Sequence, residues 1–242
     1  MAEESKLPPS DEERAKWAAE AEKFRAEARK AGAEADKAEA EATVAVLAKL
    51  RAERSYAEDQ ASDKYHHLYV FTDQVAAQSV RTCIGALAYW RRMEPGCPVE
   101  LMFCSPGGSV VDGMVLYDYL QDLRRGGHRI TTSTMGMAAS MAGILVQAGD
   151  VRRMHREAWM LIHEVAFGAI GKIADIEDTV DWAKRMQERI LDIFATRCKA
   201  AAEAGTAKHP LTKKMLKAKW RRKAWWISSD AALAWGLVDE VR

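Results

Sequence analysis

Asparagine does not occur anywhere in this 242-residue chain, which removes one side chain that can stand in for a catalytic carboxylate. Cysteine is sparse. Cys83, Cys97, Cys104 and Cys198 show neither paired metal-ligand spacing nor a dense disulfide framework, so reduced thiols in a cytoplasmic protein are the economical reading. No apolar run approaches the ~20 residues that a membrane span needs. The opening segment, Met1 to Lys6, lacks the hydrophobic centre of a signal peptide. A surplus of charge is also missing: 36 basic residues stand against 35 acidic ones, a net charge of +1. No global field therefore draws the chain to nucleic acid or to a membrane surface.

What is present divides into an appendage and a core. The length suits one sizeable α/β core plus an extension. Pro8 and Pro9 mark a loose tail. Ser10 with Glu13 then forms a capping box, so a helix is predicted to begin there and run to about Tyr56. Its sequence is rich in Ala, Glu, Lys and Arg, with a 4-3 pattern of Trp17, Ala21, Phe24, Ala28, Ala31, Ala35, Ala38, Ala42 and Ala45. That narrow seam suits packing against a neighbouring subunit or partner. A solvated single helix fits the same composition, because alanine buries little area, and a removable propeptide is a third reading. Gly32 weakens the helix by about 1 kcal/mol. Residues 57–65 read as a polar linker, dividing an extension (1–60) from a core (61–242).

Within the core, strands and helices alternate, the pattern of an α/β fold. Strands are expected at Leu68 to Phe71, Val99 to Cys104, Arg129 to Thr134 and up to His163. Helices are expected at Gln74 to Met93, Val110 to Arg124, from near Ser140 to Ala148, and from Ile173 past Arg197. Ser228, Ser229 and Asp230 cap a last short helix before Gly236. Residues 208–223 carry eight lysines and arginines beside Trp220, Trp225 and Trp226. Such a stretch can bind nucleic acid, but in a chain whose net charge is only +1 a solvated helix face with inward tryptophans is the better account.

Three pieces carry chemistry. Ser105-Pro106-Gly107-Gly108-Ser109-Val110 follows a buried strand, and glycine there lets main-chain amides approach a bound group with no Cβ in the way. Met135-Gly136-Met137-Ala138-Ala139-Ser140-Met141-Ala142-Gly143 sets one hydroxyl, Ser140, among small residues that leave room for a carbonyl; a helix N-terminus there favours developing negative charge. Met160-Leu161-Ile162-His163 ends an apolar strand on a histidine. Taken singly, each has a plain explanation as a tight turn, a packed serine or a hydrogen-bonded core histidine. Together, in this order, they are the parts of an acyl-transfer site.

These pieces resemble the proteolytic subunit of the Clp protease, the ClpP family of serine peptidases. Phe71 to Val75, Gly113-Met114 with Tyr117-Asp118, Asp175-Ile176-Glu177 and Gly236-Leu237-Val238-Asp239 add to the likeness, in family order from about residue 66 to the C-terminus. The resemblance implies a ClpP/crotonase-like α/β subunit carrying a long N-terminal helical extension. It implies Ser140 as nucleophile, His163 as general base, and the amides of Gly108 and Met141 as the oxyanion hole. It also implies heptameric rings stacked in pairs around a chamber, fed by an AAA+ unfoldase, with protein or peptide substrates and neither metal nor cofactor in the subunit. Residues 164–171 correspond to a family strand beside the substrate, and the helix after them to one that mediates ring–ring contact.

One part of the pattern is missing. The family's third catalytic residue, an aspartate, falls near Lys219–Arg221, where Trp220 stands, and Lys208 to Ser229 contains no acid at all. The third member is therefore unknown. Asp178, Asp181 and Asp230 are candidates, while Glu164 is expected to point to the opposite side of its strand. The leading reading is a ClpP-like serine endopeptidase, and the charged helix suits a phage-encoded member. The alternatives are a weak or inactive ring-assembly module and, less favoured, an acyl-thioester enzyme on the same fold.

Overall fold

A computed structural model describes residues 10–221 and 224–242; the expected tail around Pro8-Pro9 lies outside them. The chain divides into two units between Ala61 and Ser62. The first holds one helix, α1 (Asp11–Gln60). The Ser10 hydroxyl accepts from the Glu13 N–H at 3.2 Å, and the Glu13 carboxylate accepts from the Ser10 N–H at 2.8 Å, so two of the helix's orphan donors are satisfied reciprocally. Lys37–Glu41, Lys49–Glu53 and Arg54–Glu58 pair at i,i+4, each worth a few tenths of a kcal/mol. No residue of α1 is buried, so the Trp17–Ala45 seam is exposed in this chain. One expectation changes: the helix continues through residues 57–60 instead of giving way to a linker at 57.

The second unit contains, in order, β1 (Leu68–Phe71), α2 (Ala77–Met93), β2 (Val99–Ser105), α3 (Val110–Arg125), β3 (Ile130–Ala139), α4 (Met141–Val146), β4 (Val151–Met154), β5 (Trp159–Ile162), α5 (Ile173–Glu203), α6 (Lys213–Trp220), β6 (Trp225–Ser228), α7 (Ser229–Ala234) and β7 (Glu240–Val241). Among the described residues the strands form one seven-stranded sheet in the order β1-β2-β3-β4-β7, with β5 pairing to β3 and β6 to β5. Every pairing is parallel except β5 with β6. The protein is thus mixed α/β, with a long N-terminal helix and a sheet that is mainly parallel.

The central element is β3, and it is longer than the sequence suggested. Instead of ending at Thr134 it runs to Ala139. Its first half, Thr131 to Thr134, pairs with β4, and its second half, Met137 to Ala139, pairs with β5. The switch falls at Gly136, whose φ of 69° few other residues adopt, and the β2 register slips between Phe103 and Ser105 at the same level. The small residues of 135–139 are therefore strand that lets two neighbours share one edge, rather than a turn ahead of a helix.

Burial follows the pleat. Val99, Leu101, Phe103 and Ser105 are buried along β2 while their neighbours are partly exposed, as period two demands for a strand with one face on the core. Leu116, Leu120 and Leu123 of α3 and Leu87 and Trp90 of α2 cover one face of the sheet, each worth roughly 1.5–3 kcal/mol of apolar burial. The closing Gly236-Leu237-Val238-Asp239 serves a buried cation. Arg152, 1% exposed, donates to Asp239, to the Gln147 side chain at 2.8 Å and to the Gly236 carbonyl at 2.9 Å.

The basic stretch is absorbed by the fold. Lys213 pairs with Glu188 and Asp192, and Lys217 with Glu188, fastening α6 to α5. Lys219 lies over the rings of Trp225 and Trp235. Arg222 and Lys223, also part of that stretch, lie outside the described residues.

Candidate active site

Three neighbouring parallel strands end at the same edge of the sheet, and each delivers one piece of the predicted chemistry. In register, Ser105 of β2 lies opposite Ala138 of β3, and Ala139 lies opposite Leu161 of β5. One to three residues beyond those pairs come Gly107-Gly108, Ser140 and His163. The crevice outside the carboxyl ends of such strands is where open α/β sheets bind ligands.

The local conformations follow from the sequence. Gly107 and Gly108 have φ of 85° and 149°. A Cβ on Gly107 would collide with the Ala139 carbonyl and stand 2.7 Å from the Ser140 Cβ, and one on Gly108 would collide with the Val75 carbonyl. Only glycine lets the turn press against the serine. Val75 N–H donates to Gly107 O and Ser109 N–H to Val75 O, both at 2.8 Å, so bonds on either side of Gly108 anchor the turn.

Ser140 itself has φ 56° and ψ −121°, a conformation that costs a non-glycine residue of order 1–3 kcal/mol. It is held there by its own N–H bonded to Leu161 O at 2.8 Å and by Gly143 N–H bonded to its carbonyl at 3.1 Å. A serine on a strained strand-to-helix turn projects its hydroxyl away from the backbone on both sides. The residue after it, Met141, opens α4, where an N–H has no partner inside its own helix. The Met141 side chain is wholly buried and fits over Gly113 of α3.

Ser140, His163, Gly108 and Met141 line one cavity of about 270 Å³. Ile144 of α4, Ile190 and Phe194 of α5, Trp220 of α6, Val110 and Gln74 complete much of its wall. Among the described residues on that wall the ionisable ones are His163 and Glu164. Asp178, Asp181 and Asp230 are not on it. Asp181 pairs instead with Lys184 at 3.0 Å, and that contact holds its carboxyl below the usual range.

One further expectation is corrected. β5 stops at Ile162, so strand alternation no longer governs Glu164, a residue that lines this cavity and also a second one with Phe167, Val180 and Gln187. Residues 164–171 form no strand; they are irregular up to α5. Sequence reasoning also missed Ile190 and Phe194 as wall residues. Their i,i+4 spacing on an amphipathic helix was the available signal, but it says only that they face inward, not what they face.

A family model described as Clp protease matches residues 51–242. The chain belongs to the Clp protease family. It is similar to the ATP-dependent Clp protease proteolytic subunit of Bacteroides fragilis, 27% identical over 170 residues that cover 69% of this chain and 75% of that one. The subunit of the same description from Bacteroides thetaiotaomicron is 28% identical over 170 residues, covering 69% and 70%. Protease function is thereby supported at the level of the family. The cavity is the one place among the described residues where a strained serine, a histidine and a glycine turn meet, and none of the described helices is long and apolar enough to cross a membrane.

Proposed function

We propose that this protein is a serine endopeptidase of the ClpP type, with Ser140 as nucleophile and His163 as general base. The single observation that carries the reading is the strained Ser140 turn sharing a cavity with His163 and the Gly107-Gly108 turn. The Ser140 Oγ attacks the scissile carbonyl carbon as its proton passes to His163 Nε2. The oxyanion is met by the Gly108 and Met141 amides; removing one such donor typically lowers turnover ~10²–10³-fold. The C–N bond then breaks, the imidazolium proton goes to the leaving amine, and water attacks the acyl-enzyme with His163 again as base. No metal or cofactor enters this chemistry.

The apolar wall of Ile144, Ile190 and Phe194 suits an apolar side chain of a peptide substrate. By kinship with the relatives named above, the protein would act in the cytoplasm as a ring-forming homo-oligomer, with heptameric rings enclosing the sites and a Clp-type ATPase delivering substrate. The exposed 50-residue helix α1 sets it apart in our reading and supports a specialised, phage-type role.

A fluorophosphonate probe tests the proposal. Labelling of the wild-type chain and none of Ser140→Ala is the expected result. Equal labelling of both would refute the serine chemistry and favour a ring-assembly module that has lost turnover.

A further inference from the structure

We infer that His163 is oriented by a main-chain carbonyl, that of Glu164, in the place where serine peptidases ordinarily use a carboxylate. This deepens the peptidase reading above and rests on it. His163 Nδ1 lies 2.6 Å from the Glu164 carbonyl oxygen. A carbonyl has lone pairs and no proton, so the bond exists only with the hydrogen on Nδ1. In the neutral ring Nε2 is then bare, which is the tautomer that accepts a proton from Ser140. The contact arises because β5 ends at Ile162 and the chain beyond it is irregular. A continuing strand would have committed the Glu164 carbonyl to a neighbouring strand.

Trp220, at the position where the family's acid is expected, is no competitor. Trp220 is 1% exposed and lines the cavity, and its indole N–H has no hydrogen-bond partner among the described residues. An indole only donates, so Trp220 cannot receive the Nδ1 proton whatever its distance. The side chains of Asp178, Asp181 and Asp230 are off the wall, as described. The acid's two tasks are thereby separated. A carbonyl holds the ring and selects its tautomer, but it brings no negative charge to balance the imidazolium that forms when Oγ–H passes its proton to Nε2. Glu164 acts here as a positioning residue through its backbone.

The proton's location is readable without turnover. Magic-angle-spinning ¹⁵N spectra of the sedimented full chain, labelled at histidine, report which ring nitrogen is protonated, and His163→Gln assigns the signal. A protonated Nδ1 and bare Nε2 are expected in the wild type, in Ser140→Ala, and still in Glu164→Gln, because the side chain is not the acceptor. A protonated Nε2 in the wild type would overturn the inference. So would an Nδ1 signal that changes tautomer in Glu164→Gln, which would make the carboxylate the partner. Neither result touches the nucleophile, whose failure would show separately as probe labelling unaffected by Ser140→Ala.

Discussion

At Gly107 a single hydrogen separates a working turn from a blocked one. Its φ is 85°, and an added Cβ would meet the Ala139 carbonyl and the Ser140 Cβ. Both the backbone strain, of order 1–3 kcal/mol, and the displaced turn act on the site. Gly107→Ala is expected to lower kcat/KM on a fluorogenic peptide by at least ~10²-fold, the scale of one lost oxyanion donor; wild-type turnover from this variant would remove the turn from the mechanism. Trp220 poses a different question. Replacing it with Ala should cost ~3–5 kcal/mol as a large core side chain. Trp220→Phe also removes a buried N–H that has no partner among the described residues, a gain of ~1–3 kcal/mol that offsets much of the lost packing. Urea denaturation should therefore show the Phe variant within about 1.5 kcal/mol of wild type and the Ala variant well below it.

Elements, one level up, are tied by charge as well as by apolar contact. The strand β4 holds the segment between α7 and β7 through Arg152, which is buried while its partner Asp239 is 20% exposed. Removing one member of such a pair strands the other charge, a loss of ~3–5 kcal/mol. Asp239→Ala is expected to show that loss in a denaturation midpoint, and a change under ~1 kcal/mol would mean that Gln147 and the Gly236 carbonyl suffice to hold the guanidinium. The helix α1 stands at the other extreme. With no buried residue, its amides are protected only by local helix formation and the cap. Hydrogen exchange is expected to be far faster across Asp11–Gln60 than across β2 and β3. Slow exchange confined to the Trp17–Ala45 seam would instead show that another chain covers it.

For the molecule as a whole, buried thiols set a limit on the alkaline side. Burial pushes Cys198 up to about 11, and burial raises Cys83 further still. Both thiols are neutral in the fold, while the unfolded chain ionises them near its ordinary value of 9.0. Their contribution is therefore whole below about pH 9 and is lost as pH climbs through the folded values. The urea midpoint should fall between about pH 9 and 11, and the decline should flatten in Cys83→Ala/Cys198→Ala. An unchanged slope in that variant would assign the alkaline loss to other groups.

Much of this was legible in the residues alone. The Ser10–Glu13 cap, the glycines at 107 and 108, and the hydroxyl at 140 among small neighbours act through their own backbones and near neighbours, so the linear order carries them. The alternation of strand and helix patterns likewise foretold an α/β fold. What the order of residues left open is decided by pairing across long separations. β3 extends past Thr134 because both β4 and β5 offer it hydrogen bonds, and that fork carries Ser140 to the cavity that His163 also lines. β5 stops at Ile162, which frees the Glu164 carbonyl to meet the Nδ1 of its neighbour, and α6 docks on α5 so that Trp220 walls the cavity where an acid was sought. Neighbourhoods of that kind depend on which edges remain unpaired once the sheet has formed, a property of the assembled fold that no window of sequence contains.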